Sequence, residues 1–330
     1  MNRHIDVCNG DADGLCAVLQ WRLHEPAPAS LVTGPKRDIA LLDRVQAGPG
    51  DEILVCDISM QRNRAALLRL LEQGARVRYF DHHAVSDMPV HPNLETHIEF
   101  GARVCTSLLM DRYIGGAHRA WALVGAYGDN LTEVADALAE SSGLAEPQRA
   151  RLQLLGEAIN YNAYGEAGKD VPIAAQHLYR IMARYRSPFD LLDHEPLARQ
   201  LDALRRADLE LGEKLAPHWE NDRACVVVLP DAPWSRRVIG ALANRLALAH
   251  PARAHAVLRP LREGGFVVSV RAPLAAAGGA NELCGRFGGA GRAGAAGIDQ
   301  LPDSELERFI GEFASFAFHR ADAADPEVGA

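Results

Sequence analysis

The sequence has 330 residues, 48% hydrophobic and 24% charged, with a formal net charge of −8. That length is enough for two domains with separate cores, in a composition ordinary for a globular chain. No apolar run reaches the ~20 residues that span a bilayer, Met1–Asp6 carries no secretory signal, and the net acidity argues against a broad basic face; the expectations are a cytoplasmic location, no membrane and no long duplex nucleic acid.

In chain order, His4–Cys8 reads as a strand, followed by an Asp- and Gly-bearing loop and a helix over Leu15–Leu23. Ser30–Thr33 is a short strand, and Glu52–Cys56 another that stops at Asp57. Arg62–Gln73 has leucines at helical spacing and a stop at Gly74. Arg76–Phe80 is a strand running into Asp81-His82-His83. This alternation predicts a parallel sheet covered on both faces. Ligands in such sheets sit at the carboxyl ends of strands, where Asp11/Asp13, Asp57 and Asp81-His82-His83 fall.

From Thr106 to about Leu215 the patterns are helical, over Ser107–Tyr113, Trp121–Tyr127, Glu133–Ala139 and Leu197–Leu215, with a connection around Tyr185–Glu195. A second α/β unit follows: a strand at Ala224–Leu229, a helix at Arg237–Ala249, strands near His255–Leu258 and Phe266–Arg271, and a Gly-rich segment from Gly285 to Gly297. Between Asp222 and Gln300 ten Arg stand against five Asp or Glu, a balance of +5, so the rest of the chain carries −13. An acidic half suits metal ions and a basic half suits phosphates. The six cysteines are scattered and read as buried reduced thiols, with neither a disulfide framework nor a zinc knuckle.

Two carboxylates in Asp11-Ala12-Asp13-Gly14 can turn toward one cavity, and hard oxygen donors suit Mn²⁺ or Mg²⁺. Asp57 reads as an N-cap or as a bridging ligand. In Asp81-His82-His83 an imidazole suits Mn²⁺ and the adjacent carboxylate can fix a ring tautomer. Asp129 closes an apolar helix. Lys36-Arg37, after the second strand, either hold a phosphate or are solvated.

Asp11-x-Asp13, Asp57, Asp81-His82-His83 and Asp129 resemble, in order and on matching strand ends, the four motifs of the DHH phosphoesterase family. Gly288–Gly297 is similar to the GGGHxxAAG element of the accessory DHHA1 domain, and Ser269-x-Arg271 to that domain's substrate-facing strand. The resemblance covers nearly the whole chain. It implies an α/β protein: an N-terminal parallel-sheet DHH domain with helices on both faces (1–195), a helical linker (196–221), a smaller C-terminal α/β DHHA1 domain (222–320) and a flexible tail (321–330).

It further implies two Mn²⁺ ions, with Mg²⁺ or Co²⁺ as substitutes. Asp11 serves one ion; Asp13, His82 and Asp129 serve the other; Asp57 bridges. Asp81 orients His82, and His83 contacts the scissile phosphate. Lys36, Arg37, Arg271, Gly289, Gly291 and Arg292 form the substrate-binding set. The chain departs from the pattern at Val7, where many members carry His, and at Arg292, which stands where the Gly-rich element has His. The implied activity is hydrolysis of short oligonucleotides or linear dinucleotides such as pGpG. The alternatives are a pyrophosphatase or polyphosphatase, a cyclic-dinucleotide phosphodiesterase, and a nucleotide-binding regulator. A homodimer is compatible with this organisation.

Overall fold

Side chains that alternate between two cores build the first sheet. In the computed structural model, which describes residues 2–320 except 102 and 167, the chain divides into two units, Met1–Leu204 and Arg205–Ala330. The expected flexible tail, 321–330, lies outside the described residues.

The first unit opens with β1 (His4–Asn9), α1 (Ala12–His24), β2 (Ala29–Gly34), β3 (Glu52–Cys56), α2 (Met60–Glu72), β4 (Arg76–Asp81) and β5 (Leu94–Ile98). The strands run in the order β2-β1-β3-β4-β5, every pair parallel. Ile5, Val7, Ile53, Val55, Val77 and Tyr79 enter one core; Cys8, Leu54, Cys56 and Phe80 enter the other. A period of two with both phases apolar is what burial on both faces requires.

Leu67, Leu70 and Leu71 of α2 cover the first face, with Leu41 and Leu42. The second face is covered by α1 and by helices from the all-helical stretch: α3 (Thr106–Tyr113), α4 (Arg119–Gly128), α5 (Thr132–Ser141), α6 (Glu146–Ala163), α7 (Ala175–Met182) and α8 (Pro188–His194). α8 lies where the sequence suggests a connection. The sequence pattern does not announce β5. It is a half-buried edge strand, and Leu-Glu-Thr-His-Ile lacks a strong apolar run.

α9 (Leu197–Glu213) begins in the first unit and ends in the second. The second unit continues with β6 (Trp219–Glu220), β7 (Ala224–Val228), α10 (Pro233–Ala249), β8 (Ala254–Pro260), β9 (Phe266–Arg271), α11 (Ala280–Gly285), β10 (Ala290–Arg292), β11 (Ala295–Leu301) and α12 (Leu306–Ser315). Its sheet order is β10-β11-β9-β8-β7-β6, parallel only between β7 and β8. Val226, Leu258, Val268, Val270, Ile298, Phe309 and Phe313 form its core. The Gly-rich segment is therefore largely a hairpin, β10 against β11, and all six cysteines are buried free thiols.

Candidate metal centre

β1 ends at Asn9, and Gly10 passes so close to β2 that a β-carbon there would overlap the Gly34 carbonyl. The bend makes Asp11 the N-cap of α1, its Oδ1 accepting from the Gly14 N–H at 3.1 Å. Asp13, in the first turn, is fixed from a distant part of the sequence. Its carboxylate accepts from the Thr106 N–H at 2.8 Å, the Ser107 N–H at 2.7 Å and the Ser107 hydroxyl, at the start of α3. A carboxylate on a helix N-terminus meets unpaired amides and the positive end of the dipole.

Asp57 lies one residue beyond β3 with φ of 56°, in the left-handed region. Its N–H donates to the Phe80 carbonyl at 3.0 Å, tying it to β4. Asp81, the last residue of β4, is fully buried. Its Oδ1 accepts from the His82 N–H at 2.9 Å and pairs with His83 Nδ1 at 2.7 Å. The ring that Asp81 orients is thus His83, where the sequence suggests His82. The His82 ring points instead at the carboxylates, with Nε2 3.4 Å from Asp57 Oδ1 and 4.0 Å from Asp13 Oδ2.

Asp129 caps the C-terminus of α4, and small residues let that helix come close. A β-carbon on Gly125 would overlap the Ser107 hydroxyl, and one on Gly128 would overlap Ala12 Cβ.

The crowding shows in the proton affinities. Burial, then Asp11 and Asp13, pushes the Asp57 carboxyl well above its ordinary range. Burial and the Asp13 charge push Asp129 up to about 6, against the pull of Lys36 and His82. Burial works against a charged His83, but the Asp81 hydrogen bond and charge outweigh it and raise the imidazole. Burial also opposes charge on Lys36, yet Asp11, Tyr164 and Asp129 raise it well above the usual lysine value.

Among the described residues two sets of donors each converge within 4.8 Å: Asp57 with His82 and His83, and Asp13 with His82 and Asp129. Carboxylate oxygens with one or two imidazoles fit a hard or borderline divalent ion such as Mn²⁺. Asn9 Oδ1 and Asp81 Oδ2, both buried in this region, have no hydrogen-bond partner. Buried oxygens without partners are uncommon, and a bound ion or its waters would supply them.

Asp11 belongs to neither set. Its Oδ2 accepts from Lys36 Nζ at 2.7 Å. Lys36 follows β2, as the sequence places it, but turns onto a carboxylate; Arg37 beside it is exposed. In the second unit, Arg271 on β9 donates from Nε to Asn244 at 2.6 Å and from Nη1 to Ser269 at 3.0 Å. Gly289 and Gly291 let the hairpin close, since β-carbons there would overlap the Gly297 carbonyl and the Ala296 backbone respectively. Arg292 is exposed at the end of β10.

Sequence reasoning does not single out Thr106, Ser107, Asn9 or Asn160, whose Oδ1 lies 3.5 Å from Lys36 Nζ. Asn9, two residues before Asp11 at a strand end, is the one that local sequence could have suggested. A cavity of about 280 Å³ lies at the opposite end of the sheet, beside His4, Glu52 and Arg76, and holds none of these donors.

No family model matches the chain, and no curated protein does either. Solved structures do. The exonuclease RecJ bound to manganese matches with a TM-score of 0.58 at 19% identity, over 96% of this chain and 91% of that one. The DHH domain of a protein described as belonging to a family of ribosomal proteins matches with a TM-score of 0.61 at 14% identity, over 95% and 86%. A pGpG-specific phosphodiesterase from Vibrio cholerae matches with a TM-score of 0.52 at 14% identity, over 93% and 96%. The chain has the RecJ-like DHH fold.

Proposed function

We propose that this chain, on the fold of RecJ and the pGpG phosphodiesterase, is a divalent-metal-dependent phosphodiesterase acting on short oligonucleotides or linear dinucleotides. The observation that carries this reading is the convergence of Asp13, Asp57, His82, His83 and Asp129 at the carboxyl ends of β1, β3 and β4 and the end of α4. Asp13, His82 and Asp129 would hold the ion, with Asp57 beside it, and Mn²⁺ is favoured by the carboxylate–imidazole mixture. A bound divalent ion supplies a water acidified toward neutral pH and a counter-charge for the phosphoryl oxygens.

The protein's own groups do the rest. Thr106 and Ser107 hold Asp13 in one rotamer, so it cannot swing away when substrate enters. Asp81 holds His83 Nδ1 and favours the imidazolium, in which Nε2 of a half-exposed ring can donate to the scissile phosphate. Asp57 and Asp129, whose carboxyls burial and like charge raise above the ordinary range, would have to be ionised to serve as ligands, which would couple ion binding to pH. In the second unit, Arg292 and Arg271 are the candidate grips on the remainder of the substrate.

The net charge of −8 favours a short substrate over a long strand. The test is a screen of pGpG, pApA, short RNA, pAp, cyclic dinucleotides and pyrophosphate after chelation, with and without Mn²⁺. The expected outcome is hydrolysis of the linear phosphodiesters only with metal. Full activity after exhaustive chelation, or turnover of pyrophosphate alone, would refute it.

A further inference from the structure

The family resemblance assigns Asp11 to one of two ions, yet its carboxylate already has a cation. Oδ1 accepts from Gly14, and Oδ2 lies 2.7 Å from Lys36 Nζ, with the carboxylate side chain only 3% exposed. Lys36 is positioned by groups other than Asp11. Its backbone N–H donates to the Ala163 carbonyl at 2.9 Å. Its ammonium lies 3.5 Å from Asn160 Oδ1 and 5.6 Å from the centre of the Tyr164 ring. The turn after β2 and the end of α6 thus carry the ammonium to this carboxylate.

Val7, four residues before Asp11, offers no donor; its side chain is fully buried in the core beneath α2. The two donor sets share one imidazole, His82. An ion at Asp11 would have to compete for a buried carboxylate with a half-buried ammonium that Asn160 and Tyr164 keep close, and would then lie beside a like charge.

We propose that Lys36 is a built-in cation standing where a second metal ion would sit, so that the chain holds one divalent ion, between Asp13, His82 and Asp129. This rests on the metal-dependent reading above and departs from the two ions that the family resemblance implies. The ammonium has three donors, of which Asp11 and Asn160 take two. The third is available to a phosphate oxygen, which makes Lys36 a fixed positive subsite for the substrate's phosphate.

Mn²⁺ stoichiometry decides the matter, measured on the full chain by metal analysis and calorimetry, with electron paramagnetic resonance to separate isolated from exchange-coupled ions. The wild type should bind one Mn²⁺ with an isolated-ion spectrum, and Lys36→Arg should do the same. Lys36→Met, checked for folding by circular dichroism, frees Asp11 and should admit a second, coupled ion. Two coupled ions in the wild type would overturn the proposal, and so would one ion in both wild type and Lys36→Met. If Lys36→Met does not fold, Asp11→Asn decides: its Mn²⁺ affinity should stay within about tenfold of wild type, and a fall from two ions to one would overturn the idea. A chain that binds no Mn²⁺ at all would instead defeat the metal-dependent reading.

Discussion

Asp57 holds a backbone conformation better suited to glycine, and a buried carboxyl that its neighbours Asp11 and Asp13 push toward protonation. Strain and like-charge crowding at one residue are the mark of a position kept for chemistry. Asp57→Gly should therefore stabilise the metal-free chain, by about 1 kcal/mol from the backbone alone, while turnover falls by at least roughly a hundredfold. Denaturant unfolding in chelator together with a phosphodiester assay checks both halves; a variant that loses stability, or keeps its rate, refutes the account. Arg292 is the second residue to test. If its guanidinium grips substrate, Arg292→Ala should lower kcat/KM by roughly ten- to a hundredfold, and Lys should restore only part, because a point charge lacks the bidentate fork. Wild-type kinetics in the Ala variant would leave the hairpin with a packing role. At this scale the motif residues are legible because each follows an apolar run. Their partners are not. Asp13 and its holders lie more than ninety residues apart, and nothing local says that Asp81 reaches the ring of His83 while only the backbone of His82 touches it.

Helix contact sets where Asp129 stands, and it depends on side chains that are missing. Gly128 lies against Ala12 and the Gly156 carbonyl with no room for a methyl group. Gly128→Ala should cost about 1–3 kcal/mol through overpacking and weaken Mn²⁺ binding by moving Asp129 off the Asp13–His82 line. Gly311→Ala, on α12 with open space around it, is the control: it should leave Mn²⁺ affinity unchanged and raise stability by about 0.5–1 kcal/mol. Titration calorimetry and chemical denaturation read the two effects; equal Mn²⁺ affinity in both variants would show that α4 does not position the ligand. Strong apolar alternation makes β1, β3 and β4 readable. β5 is not, because an edge strand with one half-exposed face carries too little pattern. The Gly-rich stretch is visible in the sequence but its strand pairing is not, since close-set glycines fit a substrate-binding segment as well as the pairing of β10 and β11 that they form.

The two units have separate cores, and no helix among the described residues is long and apolar enough to cross a membrane. All donors of the candidate centre belong to the first unit. A ligand that binds only the folded form raises the melting temperature of the part that holds it. Scanning calorimetry of the full chain should thus show two transitions, only one of which rises with Mn²⁺. A single transition, or an equal rise in both, would mean that the units unfold together. The two-part organisation is legible because a fresh strand–helix pattern restarts at Ala224 after a long helical stretch. Where the first unit ends is harder to read, because α9 runs through the change without a turn or a run of Gly and Pro to mark it.

The grip of Thr106 and Ser107 on Asp13 has a consequence for the newborn chain. A ribosome adding about 5–20 residues per second delivers Asp11 and Asp13 several seconds before α3 can cap them, and later still Asp129. Until then β1 ends in carboxylates with nothing to fix them. On the proposed reading an ion between Asp13, His82 and Asp129 could be captured only after α3 and α4 have docked, so Mn²⁺ uptake during synthesis would mark the docking of α4.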